Sequence, residues 1–191
     1  MDSGEHAQEH SPGFLRKVAN VVGMVLFIVL LSWLLRTFVF QPYDIPSGSM
    51  EDTIETGDMV FSEKVSYYFR APEKGDIVTF ADPQVPGRVL IKRVVATGGQ
   101  TVDLVDGAVV VDGVVLDEPY TEGKPSYPLE RTAANVEVTF PYTVPEGSLW
   151  VMGDNRTNSQ DSRFFGAVDA SSVTGRGAWV YWPLTRIGVL S

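Results

Sequence analysis

Residues Arg88–Thr97 read RVLIKRVVAT, with Gly87 before them and Gly98-Gly99 after. β-branched side chains are stiff at χ1 and pack well on a pleated surface, and glycines punctuate strand ends. The stretch therefore predicts a strand. Lys92 interrupts it. With period-two alternation Lys92 shares a face with Leu90, Val94 and Ala96, while Arg93 faces the other way with Ile91 and Val95. An amine on an apolar face is costly unless it finds a partner, loses its charge or snorkels to water. Lys92 is thus either a buried lysine of lowered pKa, competent as a general base, or a structural lysine reaching solvent from an edge strand.

The neighbouring sequence extends the β reading. Asp58–Lys64 and Asp76–Phe80 are short β-like runs, each introduced by Gly-Asp. Downstream, TVDLVDGAVVVDGVVLDEPY (Thr101–Tyr120) sets Asp106-Gly107 and Asp112-Gly113 between apolar runs. Asp-Gly in that setting is the strongest short hairpin signal and predicts a rigid meander with a structural role. Glu118–Glu137 is polar and reads as a loop. Phe140–Val151 returns to β character, and Val151–Gly166 is turn-rich. GAWVYWPL (Gly177–Leu184) reads as a closing strand. The fold class is mainly β, one domain over residues 41–191.

One apolar segment precedes that domain. Val18–Phe40 (VANVVGMVLFIVLLSWLLRTFVF) carries a single charge, Arg36. As a helix it spans about 34 Å, slightly more than the roughly 30 Å hydrocarbon core of a bilayer. It is too long for a cleaved signal peptide, and no Ala-x-Ala-like site follows it. The expected organisation is a cytoplasmic tail (1–17), a transmembrane anchor (18–40) and an extracytoplasmic domain (41–191). Arg16 and Lys17 put the N-terminus in the cytoplasm, and Trp33 with Arg36 suits the outer interface. Met1–Pro12 is polar and reads as a disordered tail.

Composition excludes several chemistries. The chain has no cysteine, so no disulfide, thiolate nucleophile or cysteine metal site is possible. Its two histidines, His6 and His10, both precede the apolar segment. A Ser-His-Asp triad or histidine zinc site in the domain is excluded, and no cofactor or metal is expected. The net charge of −9 is spread through the domain and disfavours nucleic acid as a partner.

Just past the apolar segment stands Pro46-Ser47-Gly48-Ser49-Met50. Taken alone it is a polar turn, with Gly48 available for conformations closed to other residues. If a serine here is a nucleophile, its base must be Lys, Asp, Glu or Tyr. Lys64, Lys74 and Lys124 sit among polar or turn residues, and Lys92 alone lies in an apolar strand. The segment Met152–Arg163 (MGDNRTNSQDSR) fails the EF-hand pattern, because Arg156 stands at the second ligand position and no glycine follows Asn158. It is either a surface loop or the polar wall of a site, in which Ser159 orients the lysine amine and Asp161 with Arg163 forms a bracing charge pair.

Four blocks in order resemble the bacterial type I signal peptidases, or leader peptidases. They are PSGSM (Pro46–Met50), GDMVFSEK (Gly57–Lys64), KGDIVTF with IKRVVATGG (Lys74–Phe80 and Ile91–Gly99), and GDNRTNSQDSRFFG (Gly153–Gly166). The resemblance runs from the apolar segment to about Pro183. It implies Ser49 as nucleophile, Lys92 as general base, and Ser47 as an oxyanion-hole hydroxyl beside the Ser49 N–H. It implies Ser159 hydrogen-bonded to the lysine amine, an Asp161–Arg163 ion pair, and Asp154 bracing the same loop. It further implies a fold of coiled antiparallel β-sheets like that of LexA. Signal-peptide-bearing preproteins would be the partners, at the bilayer, downstream of the protein export machinery. Asp52 departs from the proline common in the family after Met-Glu, and the Gly98–Tyr142 region is short. Other readings are a LexA-like self-cleaving protease, a non-enzymatic anchored β domain and a sortase-like transpeptidase. The chain has no DNA-binding segment for the first, and lacks the cysteine the last needs in its usual form.

Overall fold

The computed structural model describes residues 12–190, so the tail expected over Met1–Pro12 falls almost wholly outside them. The chain divides into two compact units between Phe38 and Val39. The first contains a single helix, α1 (Pro12–Phe38). Its segment Gly13–Phe38 has a mean hydropathy of 2.5 and is long and apolar enough to cross a membrane. The apolar side chains are exposed all round, as in Phe14, Leu26, Val29 and Trp33, which is the pattern of a helix whose solvent is lipid. It begins inside the stretch assigned to the tail, at a proline, whose missing N–H would have no partner at a helix start. It also stops before Phe40. Pro42 disfavours helix for the residue ahead of it, and Phe40 is already paired with Glu63.

Strand β1 (Phe40–Asp44) pairs antiparallel with β2 (Met59–Glu63). Next come β3 (Ile77–Ala81) and β4 (Val89–Thr97), followed by the meander β5 (Thr101–Val105), β6 (Ala108–Val111) and β7 (Val114–Val115). After a long connection come β8 (Tyr142–Thr143), β9 (Ser148–Met152), the one-turn helix α2 (Ser162–Phe165), β10 (Val168–Asp169), β11 (Val173–Trp182) and β12 (Gly188–Val189). The large sheet runs β1-β2-β11-β3-β4-β9-β10, with β12 added to β11. All its pairings are antiparallel. The expected closing strand is therefore interior. Irregularities between Val173 and Gly175, Gly177 and Trp179, and Val180 and Trp182 bend β11. Its first half meets β3, and its second half meets β2 and β12. Bulges of this kind increase twist and curl a sheet.

The meander forms as its Asp-Gly pairs dictate. Asp106 and Gly107 have φ of 52° and 84°, and Asp112 and Gly113 have 52° and 79°. Two successive positive φ values define the type I′ turn, which matches strand twist. Strands β5, β6 and β7 with β8 make a small second sheet. It packs on the large one through Val102, Val109, Val111 and Val144 against Val95, Ala96, Trp150 and Met152. The register of β4 slips between Val94 and Ala96. Strict alternation fails there: Val94 joins the cluster of Val78, Phe80 and Val151, while Val95 and Ala96 both join the inter-sheet cluster. Ala96 is thus not on the Lys92 face.

Trp150 is wholly buried between the sheets, with Phe140 and Tyr142 rings 5.7 and 4.7 Å away. Its truncation to alanine should destabilise the domain by about 3–5 kcal/mol in urea unfolding, whereas Val115→Ala on the exposed edge should cost less than about 0.5 kcal/mol. Equal effects would mean that the inter-sheet core does not carry the fold.

Candidate active site

Strand β4 lies between β3 and β9, so Lys92 is not on an edge and cannot snorkel. Lys92 is paired in register with Val78 and is only 3% exposed. Its Nζ lies 2.5 Å from Ser49 Oγ and 2.9 Å from the carbonyl oxygen of Ile91. Burial pushes the amine down to about 8, against the carboxylates of Asp161, Asp154 and Asp82, which act in the opposite direction. At that value about a tenth of the amine is neutral at pH 7, more than a hundredfold above an ordinary lysine. The Ser49 O–H can then donate to Nζ, and the proton has a place to go.

Ser49 sits in the 3₁₀ turn Gly48–Met50. Met50 anchors this turn, being wholly buried with Ile45, Ile54, Val60 and Val180. Ser47 precedes it in extended conformation (φ −139°, ψ 150°), exposed and making no capping hydrogen bond to the turn. Gly48 does not have a positive φ. The freedom expected of that glycine goes unused, and the nearest atoms a Cβ there would meet belong to the flexible end of Glu51.

A cleft opens over the pair. One lobe of about 830 Å³ is bordered by Ser47, Ser49, Lys92, Leu129, Gln160 and Phe164. A second of about 210 Å³ is more apolar, with Tyr43, Ile45, Pro46, Leu90 and Ile91 in its walls. Ser47, Ser49 and Lys92 border both lobes, so a chain laid along the cleft would pass over them.

The polar loop after β9 makes the other wall. Arg163 Nε and Nη2 each donate to Asp161 at 2.9 Å, and both residues are buried. Asp161 also accepts from the Gly153 N–H at 3.1 Å and caps α2 through the Arg163 N–H. Burial raises the Asp161 carboxyl, but the hydrogen bonds and charge of Arg163 outweigh it and hold the group below the usual carboxylate range. Asp154 is gripped by Arg93, with Nε and Nη2 at 2.9 and 2.8 Å, and it accepts from Thr53 Oγ1 at 2.6 Å. Ser159 borders the large lobe; its buried Oγ makes no hydrogen bond of good geometry, although it stands close enough to the Asp161 carboxylate to help hold that group's pKa down. It packs on Gly153 rather than meeting the amine, and a Cβ on Gly153 would lie 2.3 Å from it. The expected Ser159–Lys92 hydrogen bond is thus not formed.

Several contributors were not picked out from sequence. Asn155 donates its N–H to the Ser49 carbonyl (3.2 Å) and its Nδ2 to that of Gly48 (2.9 Å). Gly153 admits the Ser49 carbonyl oxygen to within 2.3 Å of where a Cβ would stand, an approach closed to any other residue. Arg93, read as the outward neighbour of Lys92, holds Asp154. No local pattern marks these roles, because each joins segments some 60 to 100 residues apart in the chain.

The family model described as "Signal peptidase, peptidase S26" matches residues 18–182. A probable signal peptidase I-1 of Synechocystis sp. is 38% identical over 176 residues, covering 88% of this chain and 85% of that protein. The signal peptidase I of Leptolyngbya laminosa is 38% identical over 169 residues, covering 85% and 78%. A crystal structure of a signal peptidase I from Enterococcus faecalis aligns with 56% of this chain and 97% of that one, at 36% identity and a TM-score of 0.46. This chain belongs to the signal peptidase family, peptidase S26.

Proposed function

We propose that this chain is a membrane-anchored serine endopeptidase that removes N-terminal signal peptides from exported preproteins, with Ser49 as nucleophile and Lys92 as general base. The observation that carries the reading is the 2.5 Å approach of a buried lysine amine to a serine hydroxyl at the floor of a cleft. Neutral Lys92 takes the Ser49 proton as Oγ attacks the scissile carbonyl carbon. The resulting oxyanion is held by the Ser49 N–H and the Ser47 hydroxyl. Collapse breaks the peptide C–N bond, and the ammonium of Lys92 gives its proton to the leaving amine. Water, deprotonated by the same amine, then attacks the acyl-enzyme ester and frees Ser49. Asp154 and Asp161 with their arginines hold the loop that frames the dyad.

Helix α1, read as a membrane anchor, supports this choice of substrate. Only a short stretch separates Phe38 from Ser49, and even fully extended it reaches at most about 40 Å. An anchor at α1 would keep the nucleophile within that reach of the bilayer, where a preprotein's own apolar segment ends. On this reading the N-terminus is cytoplasmic and the domain lies on the extracytoplasmic side of the plasma membrane, downstream of the export machinery. Protease added to intact cells should cut the domain and leave the N-terminus protected; the reverse pattern contradicts this topology.

Ser49→Ala should abolish cleavage of a preprotein. Lys92→Arg should lower kcat by roughly 10²–10⁴-fold, because a guanidinium keeps charge and size but cannot become a base. Retained activity in either variant would sink the mechanism. Ser47→Ala should lower kcat by about 10²–10³-fold with KM little changed, as expected when one oxyanion donor is lost; an unchanged kcat would remove Ser47 from that role.

The pH dependence follows in sign. The active form is the neutral amine, so kcat/KM should rise about tenfold per unit of pH below 8 and level off above it. A profile that falls as pH rises from 6 to 8 would contradict Lys92 as base.

A further inference from the structure

Resting on the dyad reading above, we propose that Glu118 and Tyr120 are positioning residues for Ser49 and Lys92, delivered to the site by the small sheet. The turn Gly153–Arg156 ties the two halves of the dyad together. Asp154 is held by Arg93, the neighbour of Lys92, and it accepts from Thr53 of the nucleophile segment. Asn155 donates to the carbonyl of Ser49 itself. This turn needs support from its other side, and Arg156 provides it. Arg156 Nε donates to the Gly153 carbonyl at 3.0 Å, with the guanidinium fully buried.

A buried guanidinium needs an anion, and Glu118 is that anion. Arg156 Nη1 and Nη2 donate to the two Glu118 oxygens, each at 2.7 Å, and Nη1 also donates to Ser126 Oγ. Tyr120 O–H donates to Glu118 Oε1 at 2.8 Å. The Tyr120 ring lies under Arg93, with the guanidinium carbon 3.9 Å from its centroid, and Arg156 stands 5.9 Å away. One aromatic ring thus faces both arginines that hold the turn, and the attraction of a cation to its face orients them. Both residues belong to the segment leaving β7. Pro119 opens its 3₁₀ turn, Pro119–Thr121, and Thr121 Oγ1 closes it on the Glu118 carbonyl at 2.9 Å. Neither Glu118 nor Tyr120 borders either lobe of the cleft, so neither is placed to touch substrate. Their effect must pass through Arg93, Arg156 and the turn.

The test uses the full-length chain and a signal-peptide-bearing preprotein, with kcat and KM measured separately and the folded fraction followed by near-UV circular dichroism. Tyr120→Leu should lower kcat about tenfold or more with KM within about twofold, since small displacements of reacting groups cost rate rather than binding. Tyr120→Phe keeps the ring over Arg93 and should stay within about threefold of the parent. Glu118→Gln keeps the shape but not the charge, and should lower kcat about tenfold at similar KM. A folded Tyr120→Leu protein with parental kcat overturns the proposal, and so does a Tyr120→Phe protein as slow as Tyr120→Leu. If Tyr120→Leu does not fold, Glu118→Gln decides, and parental kcat there overturns it. Ser49→Ala and Lys92→Arg run beside them. Cleavage by these two means that the dyad reading itself has failed. Loss of cleavage in them, with full kcat in the Tyr120 and Glu118 variants, means that only the positioning role has failed.

Discussion

The burial of one lysine amine is the constraint on which the rest of this domain depends. Lys92 is held on an interior strand whose neighbours are Leu90, Val94 and the paired Val78. Taking the ammonium out of water lowers its pKa to about 8. Three carboxylates work against that shift, those of Asp161, Asp154 and Asp82. Left bare they would pull the amine's pKa back up. Each is instead matched to an arginine: Arg163 on Asp161, Arg93 on Asp154 and Arg88 on Asp82. The pairs hydrogen-bond the carboxylates and set a positive charge beside each, which limits the field that reaches the amine. A buried ion pair adds little net stability, since desolvation cancels much of the attraction, but removing one partner is costly. The value of these pairs here is positional.

Position is the second requirement. Ser49 and Lys92 come from segments 43 residues apart, and a hydrogen bond between them has to be enforced from outside. Met50 fixes the serine turn from below, through the apolar cluster of Ile45, Ile54 and Val60. The Gly153–Arg156 turn fixes it from the side, because glycine at 153 lets the Ser49 carbonyl close in and Asn155 donates to it. Arg93 extends the same turn back to β4. The small sheet joins through Glu118 and Tyr120, so the meander that looks like mere scaffolding reaches to within one arginine of the catalytic loop.

Much of this was legible in the residues. RVLIKRVVAT announced β4, because β-branched residues and flanking glycines leave few other structures open, but it left Lys92 either buried or snorkelling until the strand order placed β4 inside the sheet. The Asp-Gly pairs announced both hairpins, since only φ > 0 residues fit a type I′ turn. The absence of histidine from the domain narrowed the base to a few residue types. What stayed hidden was whatever depends on three-dimensional closure. The interior place of β11 follows from bends that no alternation pattern shows. The slip at Val94–Ala96, which moves Ala96 to the other face, is a register event rather than a composition event. Ser159 was given to the amine by its position in the loop, but the loop curls so that its hydroxyl meets Gly153. Glu118 was read as the start of a polar loop, because its partner Arg156 lies 38 residues further on.

The central claim is that Lys92 is a depressed, buried amine poised on Ser49. Carbon-13 NMR of lysine Cε in the full-length chain, with Lys92→Arg to assign the resonance, measures it without reference to turnover. One of the five lysines, absent from the Lys92→Arg spectrum, should titrate near pH 8. A Lys92 resonance that titrates at the ordinary lysine value, about 10.4, would contradict the account.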